Sequence, residues 1–341
     1  YSPAKYGIVT ELLPPEKLVA ANGWIESLTV GSIILGFVVG GVLVSGPVSG
    51  LMRTASAGLG LAAYLSPSRE AIGVLCLLYG LAALINLGIP DTGVRYAAQS
   101  LTPRAMVIHF IHCVRTLWTD KLGQISLAVT TLFWGAGATL QLLVIAWSQD
   151  ALGMSLSRAS ILQSVTAIGV AIGAVLAATR VSLRRSFSVL PFGVAMGLVV
   201  VAISLFDFRL FPAGGPTIAS THIGWATLAA ACLMMLVGGL AGYFIVPMNA
   251  LLQHRGYVLL SAGNSIAVQN FNENLGILVM VGIYALAIVG GIPVRATMVL
   301  FGLFVAGAMG LVMLRHRANQ RQFDAVALIG DTHHGDTADP R

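Results

Sequence analysis

The 341 residues carry a formal net charge of +6 and are 57% hydrophobic but only 9% charged, with a mean hydropathy of +0.86; soluble globular chains carry roughly a quarter charged residues. So few polar groups cannot cover a water-soluble surface of this size, and a bilayer must solvate the rest. The basic residues fall in short clusters between apolar runs, without the continuous basic stripe that a nucleic-acid binder needs, and the widely separated Cys76, Cys113 and Cys232 outline neither a disulfide framework nor a metal site.

The chain opens on Tyr1, with no initiator Met, basic n-region or cleavage site, which reads as a cut through a longer frame. A membrane-crossing helix needs about 20 largely apolar residues. In chain order, the tail end of one span is expected before residue 10, followed by whole spans over 18–45, 71–89, 126–147, 161–179, 187–206, 225–246, 264–290 and 294–314. Gly46-Pro47, Pro67, Pro90, Pro103, Gly214-Gly215-Pro216 and Gly291-Ile292-Pro293 punctuate them. Glycines inside spans, such as Gly36, Gly40 and Gly41 or Gly169 and Gly173, suit close helix packing and leave a role in substrate passage open.

Lys and Arg set the orientation. Counting from the connection that holds Lys17, alternate connections place 14 basic residues on one side and 5 on the other, so the richer side, with the C-terminus, is expected to be cytoplasmic. The longest connection on that side, 90–125, interleaves Met106, Val107, Ile108, Phe110, Ile111, Val114, Leu117 and Trp118 with Arg104, His109, His112 and Arg115. That spacing predicts an amphipathic helix in the membrane interface. The polar residues 315–341 are expected to form a disordered cytoplasmic tail.

A loose internal repeat links Pro3-Ala4-Lys5 and the later Asn22-Gly23 to Pro247-Met248-Asn249 and the later Gly263-Asn264, with Pro-to-Asn separations of 19 and 17 residues. Transporter halves are often such repeats. If the second copy occupies the fourth and fifth spans of a six-span half, so does the first, and one span, 71–89, then remains before the long connection. Residues 1–89 are thus expected to be the remainder of an N-terminal six-helix half and 126–314 a C-terminal six-helix half, with about 100 upstream residues absent by span length.

The same stretches carry a resemblance. YSPAKYGIVTELLPPEKLVAANGWIES at the start, TLFWGAGATLQLLVIAW at 131–147 and VPMNALLQHRGYVLLSAGNSIAVQNFNEN at 246–274 resemble the lysophospholipid transporter family of the major facilitator superfamily, over nearly everything from residue 1 to about 315. The resemblance implies an all-α membrane bundle in the bacterial inner membrane. It further implies a flippase carrying lysophospholipids, chiefly lysophosphatidylethanolamine, to the cytoplasmic leaflet, where a partner acyltransferase and acyl-carrier-protein synthetase reacylates them. The family's first-span acidic and amide motif would lie upstream of Tyr1.

Ionisable residues inside a span cost about 2.5–3.5 kcal/mol at its centre and usually face a polar cavity or a partner. Glu26 and Glu273 are placed so, the former open also to reading as an interfacial helix-start charge. Around Glu273 lie Gln269, Asn270, Asn272 and Asn274, with 269, 272, 273 and 276 on one face and Gly276 leaving room. Such a stripe suits a zwitterionic headgroup or a hydrogen-bond network locking helices together. Trp134 and Gln141 share a face of the span opening the second half; some family members carry a basic residue at the place of Gln141. Lys5 either snorkels to the surface or meets lipid phosphate. Asn22 and Asn249, from the repeat, complete the candidate substrate-binding set. Gly173-Ala174-Val175-Leu176 with Arg180, Arg184 and Arg185 resembles a degenerate version of the superfamily loop, or is positive-inside charge alone.

Competing readings are a drug or sugar transporter of the same superfamily, since fold does not fix substrate, and a membrane enzyme. The one acyltransferase-like H-x4-D pair, His334 and Asp339, falls in the polar tail. No HExxH, GxSxG, P-loop or cofactor motif is present.

Overall fold

The computed structural model describes residues 2–43, 46–58, 67–93, 102–205, 210–212, 214–218, 221–222, 224–322 and 329. Helices α1 (Ser2–Leu12), α2 (Leu18–Leu43), α3 (Gly46–Gly58), α4 (Pro67–Asn86), α5 (Pro103–Thr119), α6 (Gly123–Leu152), α7 (Leu156–Arg180), α8 (Leu190–Leu205), α9 (Trp225–Leu259), α10 (Ala262–Val289) and α11 (Val294–Gln322) make up nearly all of it. A two-residue antiparallel pairing of Thr217–Ile218 with Thr221–His222 lies between α8 and α9. Pro67 and Pro103 stand at the first positions of α4 and α5, where the missing N–H costs nothing. Among the described residues, seven helical segments are long and apolar enough to cross a bilayer, matching the expected spans from 71–89 onward. The 26 residues of α2 supply the length of the eighth.

The structure corrects the expected element boundaries in two places. The span predicted to end at residue 246 continues as α9 through Pro247 to Leu259, so only Leu260 and Ser261 separate it from α10. A helix-interior proline loses one hydrogen bond, but Met248, Asn249, Ala250, Leu251 and Leu252 after it are all 3% exposed or less, and their packing outweighs that loss. Ser261 then caps α10, its Oγ accepting from the Asn264 amide at 3.3 Å. At the other end, residues 315–322 belong to α11 rather than to a disordered tail. Ile329 is packed into the core, with its carbonyl 3.1 Å from the His254 ring Nε2; residues 323–328 and 330–341 lie outside the described set.

The chain divides into two compact units, one of Tyr1–Leu28 with Tyr96–Arg341 and one of Thr29–Arg95. Within the larger unit, α1 packs against α10 and α9. In the larger unit, glycines set how closely the helices approach. A Cβ on Gly242 would meet the Val170 carbonyl, one on Gly173 the Gly239 carbonyl, and one on Gly197 the Gly302 carbonyl, which brings α7 onto α9 and α8 onto α11. Gly135 and Gly276 do the same for α6 and α10, so Gly276 seats a neighbouring helix and does not leave the space expected beside Glu273. Gly169 and Gly173, both in the α7–α9 seam, follow the packing reading. In the smaller unit, Ser56 on α3 donates to the Glu70 carboxylate on α4 at 2.6 Å.

Candidate functional site

The polar run of α10 faces a cavity of about 250 Å³ in the larger unit, walled by Tyr6 from α1, Trp134 from α6, Asn249 from α9 and Gln269, Asn270, Glu273 and Asn274 from α10, with Ile266 and Ile277 at its apolar edges. Gln269 and Glu273 are one helical turn apart and therefore share this wall. The Gln269 Nε2 donates to the Glu273 carboxylate at 2.7 Å and more weakly to Asn249 Oδ1 at 3.4 Å. Those two acceptors fix the amide, because flipping it would set oxygen against oxygen. Gln269 Oε1 is consequently turned away from both and, though buried, has no partner among the described residues. The Trp134 indole lines the same wall as Glu273. On the α1 side, the Tyr6 hydroxyl donates to Glu26 at 3.2 Å, and Glu26 lies near enough to Glu273 for their charges to interact. The site is thus rich in buried acceptors.

Of the predicted residues, Glu273, Gln269, Asn249 and Trp134 line this cavity, and Glu26 joins it through Tyr6. Asn22 does not. It is fully buried in a reciprocal amide pair with Gln253, at 2.8 and 3.0 Å, which ties α2 to α9. Asn272 turns 100° away from Glu273 around α10 and accepts from the Trp118 indole on α5 at 3.2 Å, while its own amide returns to the Val268 carbonyl. Gln141 is exposed and about two turns from Trp134, outside the cavity wall. Lys5 lies on α1, but its side chain is outside the described residues, as are His334 and Asp339. Among the described residues no His, Cys, Asp and Glu cluster could hold a metal.

Over 93% of its length the chain is 38% identical to "Lysophospholipid transporter LplT" of Enterobacter sp. (strain 638), covering 71% of that protein. The chain belongs to the lysophospholipid transporter family. It is likewise 38% identical, over 87% of its length, to the protein of the same name from Yersinia pestis (strain Pestoides F), of which it spans 64%. No family model matches the chain. Among solved structures, a bacterial homologue of the iron transporter ferroportin in its outward-facing state superposes with a TM-score of 0.58 at 14% identity, covering 94% of this chain and 68% of that one. That likeness speaks to the fold alone, an all-α helical bundle.

Tyr6, which lines the cavity and joins Glu26 to it, was not singled out from the sequence. A signal for the α1–α2 side was present: aligning Glu26 with Glu273 sets Asn22 opposite Gln269 and Trp24 opposite Phe271, a tighter internal match than Asn22 with Asn264. Asp120 and Arg255 also went unremarked as a pair. The Arg255 guanidinium reaches both Asp120 oxygens at 2.8–3.0 Å, and Asp120 Oδ1 accepts from the amides of Leu122 and Gly123 at the start of α6.

Proposed function

We propose that this chain serves lysophospholipid transport across the bacterial inner membrane, delivering lysophosphatidylethanolamine and related lipids to the cytoplasmic leaflet, with the Glu273 cavity taking the headgroup. The observation that carries the reading is the buried Gln269 Oε1, without a partner among the described residues, beside the Glu273 carboxylate, in a chain that shares 38% identity with named lysophospholipid transporters. A buried acceptor without a donor costs about 1–3 kcal/mol, and an ammonium N–H would recover it. The cavity volume of about 250 Å³ falls below the roughly 300 Å³ at which pockets for whole drug-sized ligands begin, so it suits a headgroup whose acyl chain stays outside.

The 14-to-5 asymmetry of basic residues supports an orientation with the C-terminus in the cytoplasm. A reacylating acyltransferase and acyl-carrier-protein synthetase on that face is the partner this direction of transport calls for, with the transporter itself performing no catalysis. Residues 1–89 and 126–314 are assigned to the two halves of the bundle, joined by the 90–125 connection. Inverted membrane vesicles from cells expressing the protein, assayed with labelled lysophosphatidylethanolamine, test the reading. Headgroup-dependent lipid movement is expected; movement of a sugar or a drug without lipid would overturn it.

A further inference from the structure

Helix α5 presents two faces whose roles the cargo site does not explain. One face is fixed: Cys113 and Leu117 are buried, Phe110 meets Phe271 edge-on at 5.2 Å, and Trp118 donates to Asn272. Anchored this way, α5 turns Val107, Ile111 and Trp118 outward at 59%, 59% and 40% exposure. Spacings of four and seven residues put these three on one stripe. Arg104 and Arg115, both exposed, form a row about 40–50° further round the helix by the 100° step per residue. No acidic residue occurs between Asp91 and Asp120. The span α6 begins at Gly123, four residues after α5 ends, and Asp120 is clamped between them by Arg255, so α5 sits at the membrane surface.

We propose that this outward stripe is a docking surface for an anionic lipid leaflet. Val107, Ile111 and the Trp118 ring enter the boundary between headgroups and acyl chains, and Arg104 and Arg115 meet lipid phosphates beside them. An apolar stripe edged by arginines, on a helix lacking acidic side chains, is the arrangement that binds negatively charged interfaces. A water-facing helix would have no use for three large apolar side chains on its open side, and a protein partner would not need to lie at the level where α6 enters the bilayer. Because Asn272 adjoins Glu273, the leaflet would hold α5 against the helix that carries the cavity. The proposal does not depend on which lipid is carried.

The test uses the full chain with its three cysteines replaced by alanine, Ile111→Cys labelled with an environment-sensitive fluorophore, and reconstitution into phosphatidylethanolamine vesicles containing phosphatidylglycerol. Bromine-labelled phosphatidylglycerol is expected to quench the label at least about fivefold more than bromine-labelled phosphatidylcholine, the enrichment that one arginine supplies near an anionic surface. Arg104→Gln with Arg115→Gln should abolish that preference while leaving quenching by both lipids, and lysine at both sites should restore it. Equal quenching by the two lipids in the parent chain would overturn the proposal. So would quenching by aqueous iodide alone, which means water, or by neither quencher, which means a protein cover.

Discussion

Two buried polar clusters in the larger unit differ in how completely they are satisfied. At the junction of α5, α6 and α9, Asp120 and Arg255 have side chains only 10% and 6% exposed, and the two carboxylate oxygens take three contacts from the guanidinium while one also caps α6. In the cavity, Gln269 spends both amide hydrogens on neighbours and leaves its oxygen unmatched among the described residues. A cluster with every group paired gains nothing from a further ligand and holds helices in register. A cluster with an open acceptor carries a cost that a ligand removes. The difference in satisfaction separates lock from site where burial, similar in both, does not.

The largest effect is expected at the lock. Arg255→Met keeps the length of the side chain but strands the Asp120 charge, and breaking a buried pair from one side costs about 3–5 kcal/mol. The melting temperature of the purified protein and its abundance in the membrane should both fall sharply. Adding Asp120→Asn should recover part of the loss, because the asparagine oxygen can still accept from the Gly123 amide. If Arg255→Met melts like the parent chain, the pair is not a lock and the comparison fails at its first term.

At the site, Glu273→Gln should alter stability by less than about 1 kcal/mol, within the range of mild substitutions, yet change selectivity. The amide keeps shape and hydrogen bonding but loses the charge. Transport of a lysolipid with an ethanolamine headgroup, divided by that of one with glycerol, is expected to drop about tenfold, the equivalent of one charge-assisted hydrogen bond of about 1.5 kcal/mol. Folding losses cancel in that ratio. An unchanged ratio would remove Glu273 from headgroup contact and turn the cavity wall into a second lock.

The parts of this comparison were unequally visible in the sequence. Spans from 71 onward could be read because apolar runs between glycines and prolines leave little choice of element, and Glu273 stood out because a carboxylate in such a run needs a reason. Pro247 misled because local propensity cannot foresee that the following turns are buried on all sides. Reading 269, 272, 273 and 276 as one face was too coarse. Gln269 and Glu273 reach the cavity, whereas Asn272 goes to α5 and Gly276 to Thr131. Pairings such as Asn22 with Gln253, 231 residues apart, leave no mark in a single sequence.

The smallest predicted effect concerns the seam that joins lock and site, where Trp118 bonds Asn272 and Cys113 lies beneath the same helix. Burial pushes the Cys113 thiol above its usual value, so less thiolate is present near neutral pH than in a free cysteine. With Cys76 and Cys232 replaced by alanine, a maleimide should label Cys113 slowly at pH 7, and the rate should go on rising above about pH 8.5, where that of an ordinary thiol levels off. Trp118→Phe preserves the ring but removes the indole N–H, a loss of about 1 kcal/mol. If that bond keeps α5 seated, the variant labels a few-fold faster and its rate levels off at lower pH, because the thiol sees more water. If both curves match the parent, the apolar contacts of Phe110 and Leu117 hold α5 by themselves, and the site gains no support from the helix beside it.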